Sequence, residues 1–352
     1  MSAGLPCGTR NFSYAADMAI FRTKTHWALL LIGLAVLFTA PLYLSFYWLG
    51  VVNLIGITIV AATGLNILTG YCGQLSVGHA GFIAVGAYTS AVLTTKLDLP
   101  FLIALPAAGL FAGLIGVIFG IASLRVKGFY LAIATIAAQI IILWVINHLD
   151  GITGGFNGMS VPRAEIFGIT FRSPQSLFFL IMTVAVGVIF FAKNLARTRL
   201  GRAFVAIRDN DLAAEVMGIN LFRYKLIAFF LGCFLAGVAG SLTAHWITFV
   251  STEHFSITDS ILYVGMIIIG GAGTTLGPIL GAVAIRLLQQ GVTFVSPLLA
   301  EALPDAPSGF TAGLGPLVFG LVIVLFLVLE PRGLAHRWNL FKASYRLWPF
   351  SY

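Results

Sequence analysis

The chain has 352 residues, of which 59% are hydrophobic and only 9% are charged, and its formal net charge is +8. Because charged residues make up about 25% of an ordinary globular domain, this composition excludes a soluble fold and predicts an all-α polytopic membrane protein. On a soluble chain, a charge of +8 would indicate nucleic acid as a partner. We expect no nucleic-acid partner here, since the positive charge is sorted to one side of a lipid bilayer.

Ten apolar stretches follow one another along the chain, and each is long enough, or nearly so, to cross a bilayer, which requires about 20 residues. They are 27–48, 50–69, 75–95, 101–123, 129–147, 176–193, 226–247, 258–271, 277–296 and 311–329. We therefore predict about ten transmembrane helices, some of them broken or re-entrant. The stretch 258–271 is short for a full crossing, and the glycine-rich turn 270–278 behind it predicts a break.

Lysine and arginine predict the orientation, because the cytoplasmic loops of membrane proteins carry an excess of both. With ten crossings and the N-terminus inside, most of the 20 Lys and Arg residues fall in cytoplasmic segments, whereas most acidic residues fall outside. We therefore predict a cytoplasmic N-terminal segment over 1–26, a transmembrane domain over 27–330 and a cytoplasmic C-terminal tail over 331–352.

Residues 64–82 combine five glycines with polar side chains at membrane depth. Irregular backbone at that depth is tolerated where it is buried in protein or lines a water-filled cavity, so we predict a broken or re-entrant segment. Four neutral polar residues there can hydrogen-bond a small polar solute: Asn66, Gln74, Ser76 and His79. Alternatively, the small residues allow close helix approach, and the polar side chains form hydrogen bonds across the helix contact.

Residues 193–225 interrupt the apolar series with a basic, helix-like insert. Its seven basic residues indicate a cytoplasmic location, and they are Lys193, Arg197, Arg199, Arg202, Arg208, Arg223 and Lys225. We predict a helix–turn–helix over 201–221, with Asp211 as a possible N-cap of the second helix and Gly218 in the left-handed conformation at its end. The insert is the one large surface offered to a soluble partner, which indicates a subunit driven by another protein.

Charged side chains are nearly absent from the predicted spans. No Asp or Glu lies deep in any of them, whereas proton- and sodium-coupled carriers usually need such an acid. The chain also lacks the Gly-x-x-x-x-Gly-Lys-Ser/Thr motif, so it does not bind ATP through a P-loop. Arg286 is the charged residue that does lie deep in a predicted span, ~15 Å along its helix. We expect it to face a cavity, to pair with Asp259, or to lie nearer an interface.

Four stretches together resemble the LivM-type permeases, which are membrane subunits of branched-chain amino acid ABC importers. They are 64–88 (GLNILTGYCGQLSVGHAGFIAVGAY), 128–135 (GFYLAIAT), 201–220 (GRAFVAIRDNDLAAEVMGIN) and 270–278 (GGAGTTLGP), in the family's order. The resemblance covers about residues 27–335. It implies a fold similar to the vitamin B12-type (type II) ABC importer permeases, and a chain that forms the translocation path with a homologous permease and is not itself an enzyme.

The resemblance also implies partners and functional residues. The partners are a homologous permease, two cytoplasmic ATPase subunits and a periplasmic substrate-binding protein, assembled in the bacterial inner membrane. ATP would bind to the ATPase, and we expect no cofactor or metal on this chain. The insert becomes a coupling loop, with residues 212–217 in a groove of the ATPase and Arg208 and Glu215 at the rim of that groove.

The candidate functional residues fall into two groups. Those expected to couple to the ATPase are Arg208, Asp209, Asp211, Glu215, Gly218 and Asn220. Those expected to line the translocation path are Asn66, Gln74, Ser76, His79 and Arg286. Two alternatives stay open: a urea or short-amide permease of the same family, and a self-sufficient channel or secondary carrier.

Overall fold

The computed structural model describes residues 24–123, 128–166, 168–302 and 310–347, and this part of the chain is almost entirely helical. The α-helices are, in chain order, α1 (Lys24–Thr39), α2 (Phe46–Leu65), α3 (His79–Lys96), α4 (Phe101–Ser123), α5 (Phe129–His148), α6 (Asp150–Thr153), α7 (Pro174–Leu195), α8 (Arg199–Asp209), α9 (Asp211–Val216), α10 (Leu221–Ile247), α11 (Ile257–Gly270), α12 (Gly277–Ala302), α13 (Phe310–Leu329) and α14 (Leu334–Leu347). Two antiparallel pairs of two-residue strands complete it: β1 (Met159–Ser160) with β4 (Phe249–Val250), and β2 (Glu165–Ile166) with β3 (Ile169–Thr170). Most of the predicted N-terminal segment 1–26 lies outside the described residues.

Six helices in the described ranges are long and apolar enough to cross a bilayer, so the prediction of a polytopic helical membrane protein is confirmed. They are Phe46–Tyr71, Phe101–Ile121, Phe129–His148, Pro174–Leu195, Leu221–Ile247 and Gly277–Pro297. A seventh candidate is the pair Gly315–Leu329 and Leu334–Ser344, which is bent by 44°.

The other predicted crossings coincide with shorter or less apolar helices. Helix α1 has 16 residues, α3 has 18 and α11 has 14. A helix of 14 residues is ~21 Å long, which is less than the ~30 Å of a hydrocarbon core. The count of about ten transmembrane helices therefore stays a prediction.

The long helix α10 forms the centre of the bundle, where it packs against α2, α3 and α4. Glycines allow the backbones to approach closely there. A Cβ at Gly240 would lie 2.0 Å from the carbonyl oxygen of Ile83, and one at Gly86 would lie 2.3 Å from Gly237. Small residues at helix contacts allow membrane helices to pack tightly without a hydrophobic driving force, so these positions hold the bundle together.

A chain of hydrogen bonds ties the loop between α5 and α7 to this bundle. Ser241 Oγ on α10 donates to Ser90 Oγ on α3 at 2.8 Å, and Ser90 Oγ lies 3.0 Å from His245 Nε2. The other ring nitrogen of His245 lies 2.8 Å from the carbonyl oxygen of Pro162. Because a carbonyl only accepts, His245 Nδ1 carries the hydrogen and Nε2 accepts from Ser90. The loop is therefore held against α3 and α10.

Candidate coupling site and solute path

The basic insert folds as two short helices, α8 and α9, between α7 and α10. Thr198 caps α8, since its Oγ1 accepts a hydrogen bond from Gly201 N at 3.3 Å. Asn210 caps α9, since its Oδ1 accepts a hydrogen bond from Ala213 N at 3.1 Å. The prediction that Asp211 caps α9 is therefore wrong. Asn210 has the extended backbone that an N-cap requires, and Asp211 is the first helical residue.

Helix α9 ends in a Schellman motif, in which a left-handed residue closes the last turn. Gly218 N donates to Glu215 O at 2.9 Å, and Ile219 N donates to Ala214 O at 3.0 Å. Gly218 has φ +83°, and a Cβ there would meet nothing within 4 Å. The positive φ, rather than a lack of space, is what requires glycine. The predicted left-handed Gly218 is confirmed.

The outward face of α9 is apolar. Leu212, Val216 and Met217 are 66%, 88% and 82% exposed, whereas Ala214 on the opposite face is buried. Single exposed apolar residues are ordinary on a protein surface, but three within one short helix and its cap form a patch of the kind that marks a contact with another protein. Glu215, which is also exposed, lies beside this patch.

Arg208, at the end of α8, is exposed and also contacts the first broken span, so its expected place at the rim of a partner's groove stays a prediction. Its Nε and Nη2 both donate to Asp209 Oδ1, at 3.0 and 2.8 Å. Its Nη1 donates to the carbonyl oxygen of Gly70 at 3.0 Å. The stem of Arg208 lies over Gly73, where an added Cβ would approach Arg208 Cγ to 3.0 Å. Arg208 therefore joins the coupling loop to the first broken span.

The remaining predicted coupling residues have structural roles within the loop. The carboxylate of Asp209 orients Arg208, as just described. Asp211 Oδ2 lies 3.9 Å from Lys225 Nζ. The side chain of Asn220 caps α10 by accepting a hydrogen bond from Arg223 N at 3.0 Å. These contacts fix where α9 begins and where α10 begins, so they hold the outward patch in place.

The two predicted breaks in the membrane helices are present, and they contact each other. The π-helical turn Asn66–Tyr71 follows α2, and the irregular segment 271–276 separates α11 from α12. Asn66 bridges the two, since its Nδ2 donates to Thr274 O and its Oδ1 accepts from Gly273 N, both at 2.9 Å. Unpaired backbone groups are costly at membrane depth, so Asn66 stabilises the second break by pairing two of them.

Gly70 lies at the point where Arg208 and both breaks meet. A Cβ at Gly70 would lie 2.1 Å from Asn66 Oδ1 and 2.4 Å from Gly273 N. The contacts thus run in series from Arg208 to the Gly70 carbonyl, through the π-helical turn to Asn66, and on to Gly273. A displacement of the coupling loop can reach both breaks through this series.

The other predicted path residues on the first break are buried. Gln74 borders a cavity of about 370 Å³ whose lining includes Arg208 and Lys225. His79 Nε2 donates to the carbonyl oxygen of Ala61 at 3.0 Å. Among the described residues, neither Ser76 Oγ nor His79 Nδ1 has a hydrogen-bond partner. Gln74 therefore lies beside the coupling loop, whereas Ser76 and His79 lie inside the bundle.

Arg286 lies on α12 and is held by neutral groups. Its Nε donates to Thr58 Oγ1 and its Nη1 donates to Gln289 Oε1, both at 2.8 Å. The pairing with Asp259 that we considered is not formed, because the Asp259 carboxylate instead accepts a hydrogen bond from Ser256 Oγ at 2.6 Å. Sequence analysis missed Gln289, although its spacing of three residues from Arg286 places both on one helix face.

Comparison with known proteins identifies the family of this chain. The profile of the family described as branched-chain amino acid transport system / permease component matches residues 47–327. The high-affinity branched-chain amino acid transport system permease protein LivM of Escherichia coli (strain K12) is 34% identical over 288 residues, or 74% of this chain and 68% of the relative. The protein of the same name from Salmonella typhimurium (strain LT2) is 34% identical over 259 residues, or 66% of this chain and 61% of the relative.

A more distant relative is matched over more of its length. The probable branched-chain amino acid transport permease protein LivM of Methanocaldococcus jannaschii is 23% identical over 320 residues, which is 87% of this chain and 91% of the relative. No solved structure matches the chain. The family profile covers well over half of the chain, including both broken spans and the whole coupling loop. The chain belongs to the family of branched-chain amino acid transport system permease components.

Proposed function

We propose that this chain is a membrane permease subunit of an ATP-driven importer for branched-chain or similar small amino acids. Its 34% identity over 288 residues to a permease named for branched-chain amino acid transport is the observation that carries the proposal. The spans support it too, because no Asp or Glu lies deep in them, and such acids are typical of carriers driven by protons or sodium.

The proposed partners are a homologous permease, two cytoplasmic ATPase subunits and a periplasmic substrate-binding protein. The exposed apolar patch on α9 supports an ATPase partner, since Leu212, Val216 and Met217 are otherwise left in water. Six residues form fewer than two helical turns, a size that suits a groove on a soluble subunit. ATP is bound and hydrolysed on that subunit, and a type II fold with about ten spans completes the proposal.

Through Arg208, a movement of the ATPase can reach the broken span in the membrane domain. Only Asp209 and Asn210 separate Arg208 from α9. A shift of α9 with the ATPase therefore pulls on the guanidinium that holds the Gly70 carbonyl. Hydrogen bonds from charged donors contribute about 1.5–3 kcal/mol each, which is enough to bias the conformation of the broken span.

Reconstituted transport tests the proposal. The chain is co-expressed with a homologous permease, ATPase subunits and a binding protein from the same organism, and the complex is placed in liposomes. We expect uptake of radiolabelled leucine that requires both ATP and the binding protein. Uptake by this chain alone would instead establish a channel or carrier, and uptake of urea without leucine would establish the amide permease.

The proposed location is the bacterial inner membrane, with both termini in the cytoplasm. In a background without Cys7, Cys72 and Cys233, we expect Ser160→Cys to react with an impermeant maleimide added to spheroplasts. Glu215→Cys and Ser344→Cys should react only after permeabilisation. Labelling of Ser160→Cys and Glu215→Cys from one side would contradict the orientation and would remove α9 from the reach of a cytoplasmic ATPase.

A further inference from the structure

Helix α12 carries a polar stripe that the functional argument above does not use. Arg286, Gln289, Gln290 and Thr293 are spaced at i, i+3, i+4 and i+7. This spacing places all four on one face of an α-helix. Leu287 lies on a different face of the same helix, about 100° away from Arg286. A span built only to contact lipid would not carry such a stripe.

The stripe follows the seam between α12 and α2. Arg286 donates to Thr58 of α2 at 2.8 Å, and Gln290 Nε2 donates to the hydroxyl of Tyr47, just inside the start of α2. The rest of the chain buries little of α12, since only 17% of its apolar 18-residue stretch is buried, against 78% for the span that contains α2. The seam therefore lies at the margin of the folded chain, not at its centre.

The charge of Arg286 makes this position informative. Its hydrogen-bond partners among the described residues are neutral: Thr58 and Gln289. No ion pair to Arg286 is formed within the described residues, and Asp259 is engaged by Ser256 instead. A cation within a span is costly unless it faces water, a polar partner or a counter-ion. Neutral partners fix the direction of the guanidinium and form no ion pair with it.

We propose that this stripe lines the solute path and that Arg286 contacts the carboxylate of the passing solute. The inference rests on the proposed function, which supplies a solute with a carboxylate. A guanidinium has five N–H donors in a planar fork that matches a carboxylate. The bonds to Thr58 and Gln289 use two of these donors, so others remain to bind an anion. The amides of Gln289 and Gln290 extend a neutral, hydrogen-bonding surface along the helix.

Thiol reactivity tests the position of the stripe without any transport. Gln290→Cys and Thr293→Cys are made in the background without native cysteines, with Leu287→Cys as the matched control. Leu287 is 46% exposed, so burial in this chain does not protect it. We expect the two stripe cysteines to react with charged methanethiosulfonates about tenfold faster than the control, because water but not lipid supports thiolate formation.

Reagents of opposite charge test whether the guanidinium of Arg286 acts on the space beside the stripe. With each rate divided by the rate of that reagent toward a free thiol, we expect the anionic sulfonatoethyl reagent to modify Gln290→Cys faster than the cationic trimethylammonium reagent. This preference should fall about three- to tenfold when Arg286→Gln is added, since one charge at short range has an effect of that size in a partly hydrated site. Equal reactivity of Leu287→Cys, or a preference that Arg286→Gln leaves unchanged, would overturn the proposal and favour a dry helix seam.

Uptake completes the test. In the assembled importer, we expect Arg286→Gln to lower leucine uptake about tenfold through a higher KM, and Arg286→Lys to restore part of it, because a charge-assisted hydrogen bond is worth at least that factor. Unchanged leucine uptake by Arg286→Gln would overturn the carboxylate contact. A wild-type complex that takes up no leucine refutes the proposed function separately, since the thiol pattern is measured without substrate or ATP.

Discussion

The two helices of the coupling loop are separated by one residue, yet α8 buries its large apolar side chains and α9 exposes them. Helix α8 buries Phe204 and Ile207 against the bundle, whereas α9 leaves Val216 and Met217 almost fully exposed. The polar residues divide in the same way, with Arg208 turned toward the first broken span and the Glu215 side chain outward. Helix α8 is therefore packed on the membrane domain, whereas the apolar side chains of α9 are exposed.

This difference between α8 and α9 suits a loop that passes a partner's movement on to the membrane helices. A loop that was exposed on all sides would absorb a partner's movement by bending. Because α8 is packed and Arg208 is bonded to the Gly70 carbonyl, a movement of α9 must either shift α8 or break that contact. We therefore expect the coupling loop to transmit movement between the exposed patch on α9 and the two breaks in the membrane helices.

The strongest test of the packed side is Phe204→Ala. Phe204 is fully buried, and removing a buried phenylalanine side chain costs about 3–5 kcal/mol. We expect a large fall in the thermal stability of the detergent-solubilised protein, measured by fluorescence-detected size exclusion. Phe222→Ala is the matched control, since Phe222 is 55% exposed at the start of α10. Equal losses in the two variants would show that α8 is not anchored.

The next largest effect is expected for Arg208→Gln. This change removes the charge that holds the Gly70 carbonyl, a contact of about 1.5–3 kcal/mol. We expect the ATPase to bind with unchanged affinity, while leucine transported per ATP hydrolysed falls about tenfold. The two quantities are measured by pull-down and by paired uptake and phosphate-release assays in liposomes.

Arg199→Gln is the control for Arg208→Gln, because Arg199 is an exposed arginine at the start of the same helix. We expect it to leave the ratio of leucine transported to ATP hydrolysed unchanged. If Arg208→Gln instead weakens ATPase binding and leaves that ratio intact, Arg208 acts at the rim of the partner's groove, as first expected from the sequence.

On the exposed side, Gly218→Val should disturb docking without unfolding the membrane domain. A left-handed backbone costs an L-residue roughly 1–2 kcal/mol, and nothing crowds a side chain at this position. We expect weaker ATPase binding, with uptake and stimulated ATP hydrolysis reduced together. Gly218→Asn is the matched control, because asparagine tolerates the left-handed conformation. Identical behaviour of the two variants would show that the conformation of Gly218 does not control docking.

The sequence predicted those features of this site that depend on residues close together in the chain. Glycines and polar residues at membrane depth predicted both breaks, and the αL preference of glycine predicted the end of α9, since these are local effects. The contact between Asn66 and Gly273 joins residues that are far apart in the chain, and no local pattern reveals it. The hydrogen bond from Arg208 to the Gly70 carbonyl is equally long in range, and no local pattern predicts it, whereas the predicted place of Arg208 at the rim of a partner's groove stays a prediction.

The smallest expected effect separates two neighbouring residues at the start of α9. Asn210 accepts the hydrogen bond from Ala213 N at 3.1 Å, whereas Asp211 lies 3.9 Å from Lys225 Nζ. Replacing an N-cap asparagine with alanine costs about 1 kcal/mol, and losing the favourable interaction of a half-buried acid with the helix dipole in the first turn costs about 0.3–1 kcal/mol. We therefore expect Asn210→Ala to accelerate amide exchange in residues 211–217 more than Asp211→Ala does, as measured by mass spectrometry. The reverse order would show that the contact between Asp211 and Lys225, rather than the Asn210 cap, stabilises the start of α9.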